Sequence, residues 1–440
     1  MARRTAMKKT LLILALSLAL TGCDLFLEKK IETEPLYTAK IAWDSGLFSN
    51  QFATHTVDED SVFFYERPPG YTTVNVYALT RLSTETGDLV WRSSLIFHDV
   101  VQSQMVVIEG YVYVFVQDNT ILAFDRETGE HTATATVIIE NEEWKSLEMK
   151  WNPAAYQHYI YQGFWGRYVS YFVQLDVHAI NHDGDPDEVQ QIAPKFLWAL
   201  DNGSHISGNP VFHNNIVYTC TTTPLAKKSV ELAGFDIDTG EMVLYSTFGG
   251  SEDKENDRIP FPDDGALIAS KTLFIHDNFL YHLGKSIVCW DIETGNQLFR
   301  HVFTVDVPNP KWYDGGTLEA VFYKGKIYYT SNSSDSPSGY RNIHCIDAAT
   351  GRLVWNTVTK DSETLHTNPV IAHKQLYIPQ YDGLFVFEPE TGKLIGVDRS
   401  FCGDGFSGRN ILYNDYMICV QIIDKKDTFG GRMVAVYVGK

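Results

Sequence analysis

Three groups of side chains have the types and spacing that chemistry would need: an acidic run, six cysteines and fourteen histidines. The run Asp183-Gly-Asp185-Pro-Asp187-Glu188 alternates carboxylates as a calcium loop does. An EF-hand register, however, needs Gly where Glu188 stands and Glu where Pro194 stands. The run therefore reads as a solvated acidic loop that elongates one structural unit. The histidines form no His-Glu-x-x-His and no Cys/His cluster, and no two cysteines are spaced Cys-x-x-Cys. The nearest approach to Gly-x-Ser-x-Gly, Gly403-Asp-Gly-Phe-Ser-Gly408, has its serine out of place and lies ahead of a strand. These patterns predict no catalytic set, no metal site and no cofactor-binding residues, and hence a protein that is not an enzyme.

One thiol has a distinctive setting. Arg3, Arg4, Lys8 and Lys9 precede the apolar run Leu11–Leu20, which is too short to span a bilayer and suits the core of an export signal. The adjoining Leu20-Thr-Gly-Cys23 resembles the bacterial lipobox. That resemblance implies cleavage before Cys23 and lipidation of its sulfur, making residues 1–22 a lipoprotein signal peptide and 23–38 a lipidated tether. Several acyl chains on one residue anchor a protein stably where one would not. The implied location is the bacterial cell envelope, facing the periplasm. The outer membrane is favoured, and the inner membrane stays open because Asp24 resembles a retention signal of enteric bacteria. No later stretch is apolar enough to span a membrane as a helix. The formal charge is −19, and without the four basic leader residues 32 Lys+Arg face 55 Asp+Glu, or −23. Such a surface disfavours nucleic acid and favours solubility.

The elements that would carry any site repeat. Ile343-His-Cys-Ile-Asp-Ala-Ala-Thr-Gly-Arg-Leu-Val-Trp355 reads as a hairpin: β-branched and aromatic residues suit strands, and Gly351 suits the reversal. The phrase returns at Leu122–Gly129, Ala233–Gly240, Val288–Gly295 and Phe385–Gly392. With Gly87, and with Gly184 taken as the turn of a degenerate copy, successive spacings are 42, 55, 56, 55, 56 and 41 residues. Ahead of the turns runs a second phrase with a buried-type Tyr, as in Asn209–Tyr218, Ala320–Tyr328 and Asn368–Tyr377. Four strands per repeat in series predict an all-β β-propeller.

The chain ends set the blade number. Ile411–Tyr437 supplies three strands and stops before a Thr-Gly turn, whereas Ala39-Lys-Ile-Ala-Trp43-Asp-Ser matches the strand that follows such a turn. The two complete each other, so residues 39–440 are expected to form eight four-stranded blades, with the N-terminal strand pairing the C-terminal blade. Cys289 and Cys345 occupy the position held by Ala123 and Gly234 in other copies, and read as small core residues in different blades.

Asp125, Asp236, Asp291 and Asp347 before the turns, and Trp91 and Trp355 after them, resemble the pyrroloquinoline-quinone (PQQ) repeat propellers. The Asp is expected to accept backbone N–H bonds, and the Trp to pack between neighbouring sheets. PQQ-dependent dehydrogenases of that family carry adjacent cysteines, which this chain lacks. A lipid-tethered acidic propeller of this kind is similar to the BamB-like lipoproteins of outer-membrane β-barrel assembly. The resemblance implies a monomeric, non-enzymatic scaffold with an envelope protein partner, a barrel-assembly component, and strand edges able to receive substrate strands. One alternative is a lipoprotein binding a saccharide or peptide through the aromatic insert Ile138–Tyr168, with Trp144, Trp151 and Trp165 as its candidate surface. The other is a PQQ-dependent dehydrogenase.

Overall fold

The Thr-Gly phrase folds as a hairpin because its own side chains satisfy the backbone at the reversal. Asp125 Oδ1 accepts from the Glu127 and Thr128 amides at 3.0 and 2.8 Å and from the Thr128 hydroxyl at 2.9 Å. Thr128 Oγ1 in turn accepts from the Glu130 amide at 3.3 Å. Asp236, Asp291 and Asp347 hold Thr239, Thr294 and Thr350 in the same way. The first two strands of four repeats meet in tighter turns with two consecutive left-handed residues, as at Asn214-Asn215 and Lys324-Gly325, whose φ values are 47, 65, 48 and 72°. This is the turn whose twist matches that of the flanking strands.

The computed structural model describes residues 39–45, 55–68, 71, 76–98, 105–117, 119–139, 148–149, 153–165, 170–200, 205–206, 209–222, 230–248, 272–283, 286–302, 313–314, 320–333, 340–360, 368–380, 383–399, 406–425 and 428–438. They lie within one compact unit, Tyr37–Lys440. The described residues form eight sheets, each with an antiparallel four-strand meander. Blade 1 comprises His55–Asp58, Ser61–Glu66, Val76–Ser83 and Leu89–Arg92. Blade 2 runs from Val106 to Val137, blade 3 from Glu148 to Leu200, blade 4 from His205 to Phe248 and blade 5 from Thr272 to Val302. Blade 6 runs from Tyr313 to Lys360 and blade 7 from Val370 to Asp398. Blade 8 takes Phe406–Tyr413, Tyr416–Lys425 and Thr428–Tyr437 from one end of the chain and Lys40–Asp44 from the other. The closing register pairs Lys40 with Tyr437, Ile41 with Val436, Trp43 with Ala435 and Asp44 with Val434, as the orphan strands predicted.

Apolar cores fill the seams between consecutive sheets. The seam of blades 8 and 1, for example, holds Trp43, Val62, Phe64, Leu82, Ile418, Val420, Met433 and Ala435, and corresponding cores fill the other seven seams of the circle. Buried tyrosines of the second strands, Tyr113, Tyr218, Tyr281 and Tyr328, stand opposite Ala123, Gly234, Cys289 and Cys345. A small residue is required there, because a Cβ on Gly234 would meet the Tyr218 ring at 3.0 Å. The two cysteines are therefore packing residues, as their repeat position predicted.

Tryptophans at the post-turn position of the fourth strand clasp the next blade. Trp43 of blade 8 covers Gly87 of blade 1, Trp91 covers Gly129 of blade 2 and Trp355 covers Gly392 of blade 7. Their indole N–H groups donate to the carbonyls of Thr84, Arg126 and Pro389, each three residues before the covered glycine, at 2.8, 3.0 and 2.9 Å. Where Leu244 replaces Trp, its methyl group still sits over Gly295.

Blade 3 corrects two expectations. Gly184 is not a hairpin glycine: it takes no left-handed φ, and the connection from Ser170–Asp176 to Phe196–Leu200 is a long excursion. Nor does the acidic loop elongate blade 3. Past Glu188 the chain forms Val189–Ile192, which pairs in parallel with His131–Val137 as a fifth strand on blade 2. Without a Thr-Gly turn there is no glycine for a neighbouring indole to cover. The clasp onto blade 4 comes instead from Phe196, over Gly240, and from Trp198, whose Nε1 donates to the Gly240 carbonyl at 2.8 Å.

Candidate partner-binding edges

The fourth strand of each blade is its outer edge, and its sequence pattern sets what that edge presents. Two apolar residues separate the turn from the clasping aromatic in several copies, and they face solvent while the aromatic is tucked between sheets. Leu89 and Val90 in blade 1 and Leu353 and Val354 in blade 6 are exposed in this way. Blade 4 is richest: on its edge strand Met242–Phe248, Met242, Val243 and Tyr245 are 57, 51 and 56% exposed. An edge strand also leaves every second backbone N–H and C=O unpaired, which templates pairing with another strand.

Blade 2 shows such an edge already filled. Thr134, Ala135, Thr136 and Val137 pair with Val189, Gln190, Gln191 and Ile192, and the Ile138 amide donates to the Ile192 carbonyl at 2.9 Å. The added strand is held by local bonds. The Asn181 amide donates to Gln190 Oε1 and Gln190 Nε2 donates to the Asn181 carbonyl, both at 2.8 Å. His182, between the two, stacks on Tyr111 of blade 2 with ring centroids 3.7 Å apart. Extended backbone docked in parallel on an outer strand is thus a mode of binding this propeller accommodates.

Of the residues singled out in the sequence, Cys23, Trp144 and Trp151 lie outside the described residues. Trp165 ends the strand Tyr159–Trp165, its backbone opposite Glu148 and Ser170. The described aromatics of the insert are largely core: Tyr159, Tyr161 and Phe164 are buried, and Tyr156 stacks on Phe212 of blade 4 at 4.9 Å. The acidic loop is exposed and held by its own turns, with Asp185 Oδ1 accepting from the Asp187 amide at 3.0 Å.

The charged groups between blades 1 and 2 serve packing. Buried Arg81 donates to Ser61 Oγ at 2.7 Å, to the Arg126 carbonyl at 3.0 Å and to Glu127 at 2.8 Å. Arg126 bonds Asp58, Glu59, Asp60 and Glu127. A hydrogen bond from Ser61 and the two guanidinium groups hold the Asp60 carboxyl below its usual range, and the hydrogen bond from Arg81 does the same for Glu127. Burial pushes the Cys289 and Cys345 thiols up to about 12 and about 11, so they stay protonated and unreactive. A quinone cofactor stacked on a disulfide of adjacent cysteines does not fit these residues. Cys220, Cys289, Cys345 and Cys419 are buried and lie in four different blades.

The fold defines the class: an eight-bladed PQQ-repeat propeller, here with an added strand on the outer edge of blade 2. The chain belongs to the family of the outer membrane protein assembly factor BamB, whose sequence profile matches residues 37–328 and 284–395. No curated protein sequence matches it significantly. Among solved structures, BamB from Moraxella catarrhalis is 12% identical, with a TM-score of 0.60 over 91% of this chain and 100% of that one. Quinohemoprotein alcohol dehydrogenase from Comamonas testosteroni is also 12% identical, with a TM-score of 0.63 over 92% of this chain and 77% of that one. A europium-containing methanol dehydrogenase is 13% identical, with a TM-score of 0.61 over 93 and 94%. At these identities the likeness is one of fold, shared by an assembly factor and by oxidoreductases.

Proposed function

We propose that this protein is a non-enzymatic scaffold of the bacterial envelope, tethered through lipid on Cys23, that assists outer-membrane protein assembly by presenting outer strand edges to extended substrate segments. The observation that carries this reading is the pairing of Val189–Ile192 on blade 2, an extended segment held on an outer edge. Family membership supports the assignment to assembly, and the exposed apolar edge of blade 4 supplies an open site of the same kind. Among the described residues no helix is long and apolar enough to cross a membrane, which makes a lipid the natural anchor for residues 39–440 in this reading.

Crosslinking pull-down from intact envelopes is the test. The expected result is recovery of a barrel-assembly component and of unfolded outer-membrane proteins, with crosslinks from a photoreactive residue at position 243. Unchanged outer-membrane protein levels in cells lacking the protein would overturn the reading. The saccharide-binding alternative predicts quenching of tryptophan fluorescence by a glycan, diminished by Trp144→Ala or Trp165→Ala. The burial of Tyr159, Tyr161 and Phe164 leaves that surface fewer aromatics than the insert contains.

A further inference from the structure

Among the described residues, the seam between blades 2 and 3 has no indole clasp. Ala133 stands four residues after Gly129, where blades 1 and 6 carry Trp, and blade 3 offers no hairpin glycine to cover. At one end of this seam lies a cluster of a different kind. His158 sits in the turn joining Ala154–Tyr156 to Tyr159–Trp165. Asp176 closes the next strand, and His178 follows in a single turn of 3-10 helix, Val177–Ala179. One ligand atom from each of His158, Asp176 and His178 lies within 4.8 Å of the others. Glu109, in the corresponding turn of blade 2, reaches the group from across the seam, its Oε2 2.8 Å from His178 Nε2.

The backbone holds these side chains together. The Val177 amide donates to the His158 carbonyl at 3.0 Å, tying the two turns. Asp176 Oδ1 accepts from the His178 amide at 3.0 Å and stands 3.6 Å from His178 Nδ1, which leaves Oδ2 available. The His158 and His178 rings stack with centroids 4.6 Å apart. Two imidazoles with one or two carboxylates are the donors that borderline divalent ions select, whereas calcium and magnesium take oxygen ligands alone. Bond lengths of about 2.0–2.2 Å at zinc bring ligand atoms to roughly 3.3 Å from one another. Side-chain rotation closes the remaining gap, since the His178 side chain is 60% exposed.

We propose that His158, Asp176 and His178 bind a divalent transition-metal ion of the zinc class, with Glu109 of blade 2 holding the His178 ring through its other nitrogen. Through the bond from His178 to Glu109, the ion would tie blade 3 to blade 2 at this seam. It would also fix the base of the excursion that carries Val189–Ile192, which begins at the helical turn bearing His178.

The test is titration of the purified full chain with Zn2+ by calorimetry, and with Co2+ by visible absorption, after removal of adventitious metal with chelator. One equivalent of Zn2+ binding, with ligand-field bands for Co2+, is expected. His178→Ala and His158→Ala should each weaken Zn2+ binding at least about tenfold, a loss of about 1.4 kcal/mol. Glu109→Gln should weaken it less, and His182→Gln, on the same excursion but outside the cluster, should leave it unchanged. Saturating Zn2+ should raise the Tm of the parent protein but not of His178→Ala, whose exposed position makes misfolding an unsuitable explanation for lost binding. Absence of Zn2+ binding, binding unaltered in His178→Ala, or equal affinity for Ca2+ would each overturn the proposal.

Discussion

Gly129 takes φ +74°, and a Cβ there would lie 2.5 Å from the Trp91 ring; Gly110 takes φ +84° with nothing near. Gly110→Ala thus meets only left-handed strain, expected to cost about 1 kcal/mol. Gly129→Ala must also displace the indole and should exceed it by about 2 kcal/mol; chemical denaturation of the two variants measures the difference. A second prediction at this scale concerns His344, buried in blade 6 with its ring stacked on Tyr329 at 4.6 Å. Burial lowers its pKa to about 3, against about 6.5 in the unfolded chain. A depressed pKa means that the native state takes up the proton later than the unfolded one, so this contribution is complete above pH 6.5 and lost as pH falls toward 3. His344→Phe should therefore lose less stability than the parent between pH 6.5 and 4, measured as the shift of the denaturation midpoint.

Elements are where local code and long-range packing part. The Asp-x-x-Thr-Gly hairpins form from side chains within three residues of the turn, and copies that vary the code keep the turn: Ser83 and Glu388 stand in for Asp, with Glu388 accepting from the Thr391 hydroxyl at 2.5 Å. The strand Val189–Ile192 has no such local specification. Its place is set by Asn181 and His182 against blade 2, so Gln190→Pro, which removes a strand amide and the side-chain pair with Asn181, should detach it. Faster amide hydrogen exchange at Ile138, whose amide donates to Ile192, with global stability changed by no more than about 2 kcal/mol, is the expected outcome.

For the molecule as a whole, the circle is closed by five residues from the beginning of the described chain. Trp43 is buried in the seam of blades 8 and 1 and donates to Thr84, while Asp44 pairs with Arg432 and the Ala39 amide with Asp398 of blade 7. Removing residues 1–38 should leave the melting transition in place. Removing residues 1–45 opens blade 8 and should abolish cooperative unfolding, as followed by circular dichroism. Trp43→Ala in the intact chain should cost about 3–5 kcal/mol.

The sequence alone determined the repeat, the eight blades and their closure, because hairpin turns and strand patterning are encoded within a dozen residues and recur. It also placed Cys289 and Cys345 correctly, since the slot facing the tyrosine ring holds Ala123 and Gly234 in other copies. Only the tertiary structure decided that the blade 3 excursion docks on blade 2, and that Phe196 and Trp198 take over the clasp. It alone brought Glu109, His158 and His178 to one seam. Those residues lie 20 to 69 positions apart, and their meeting depends on how adjacent sheets pack rather than on any local pattern.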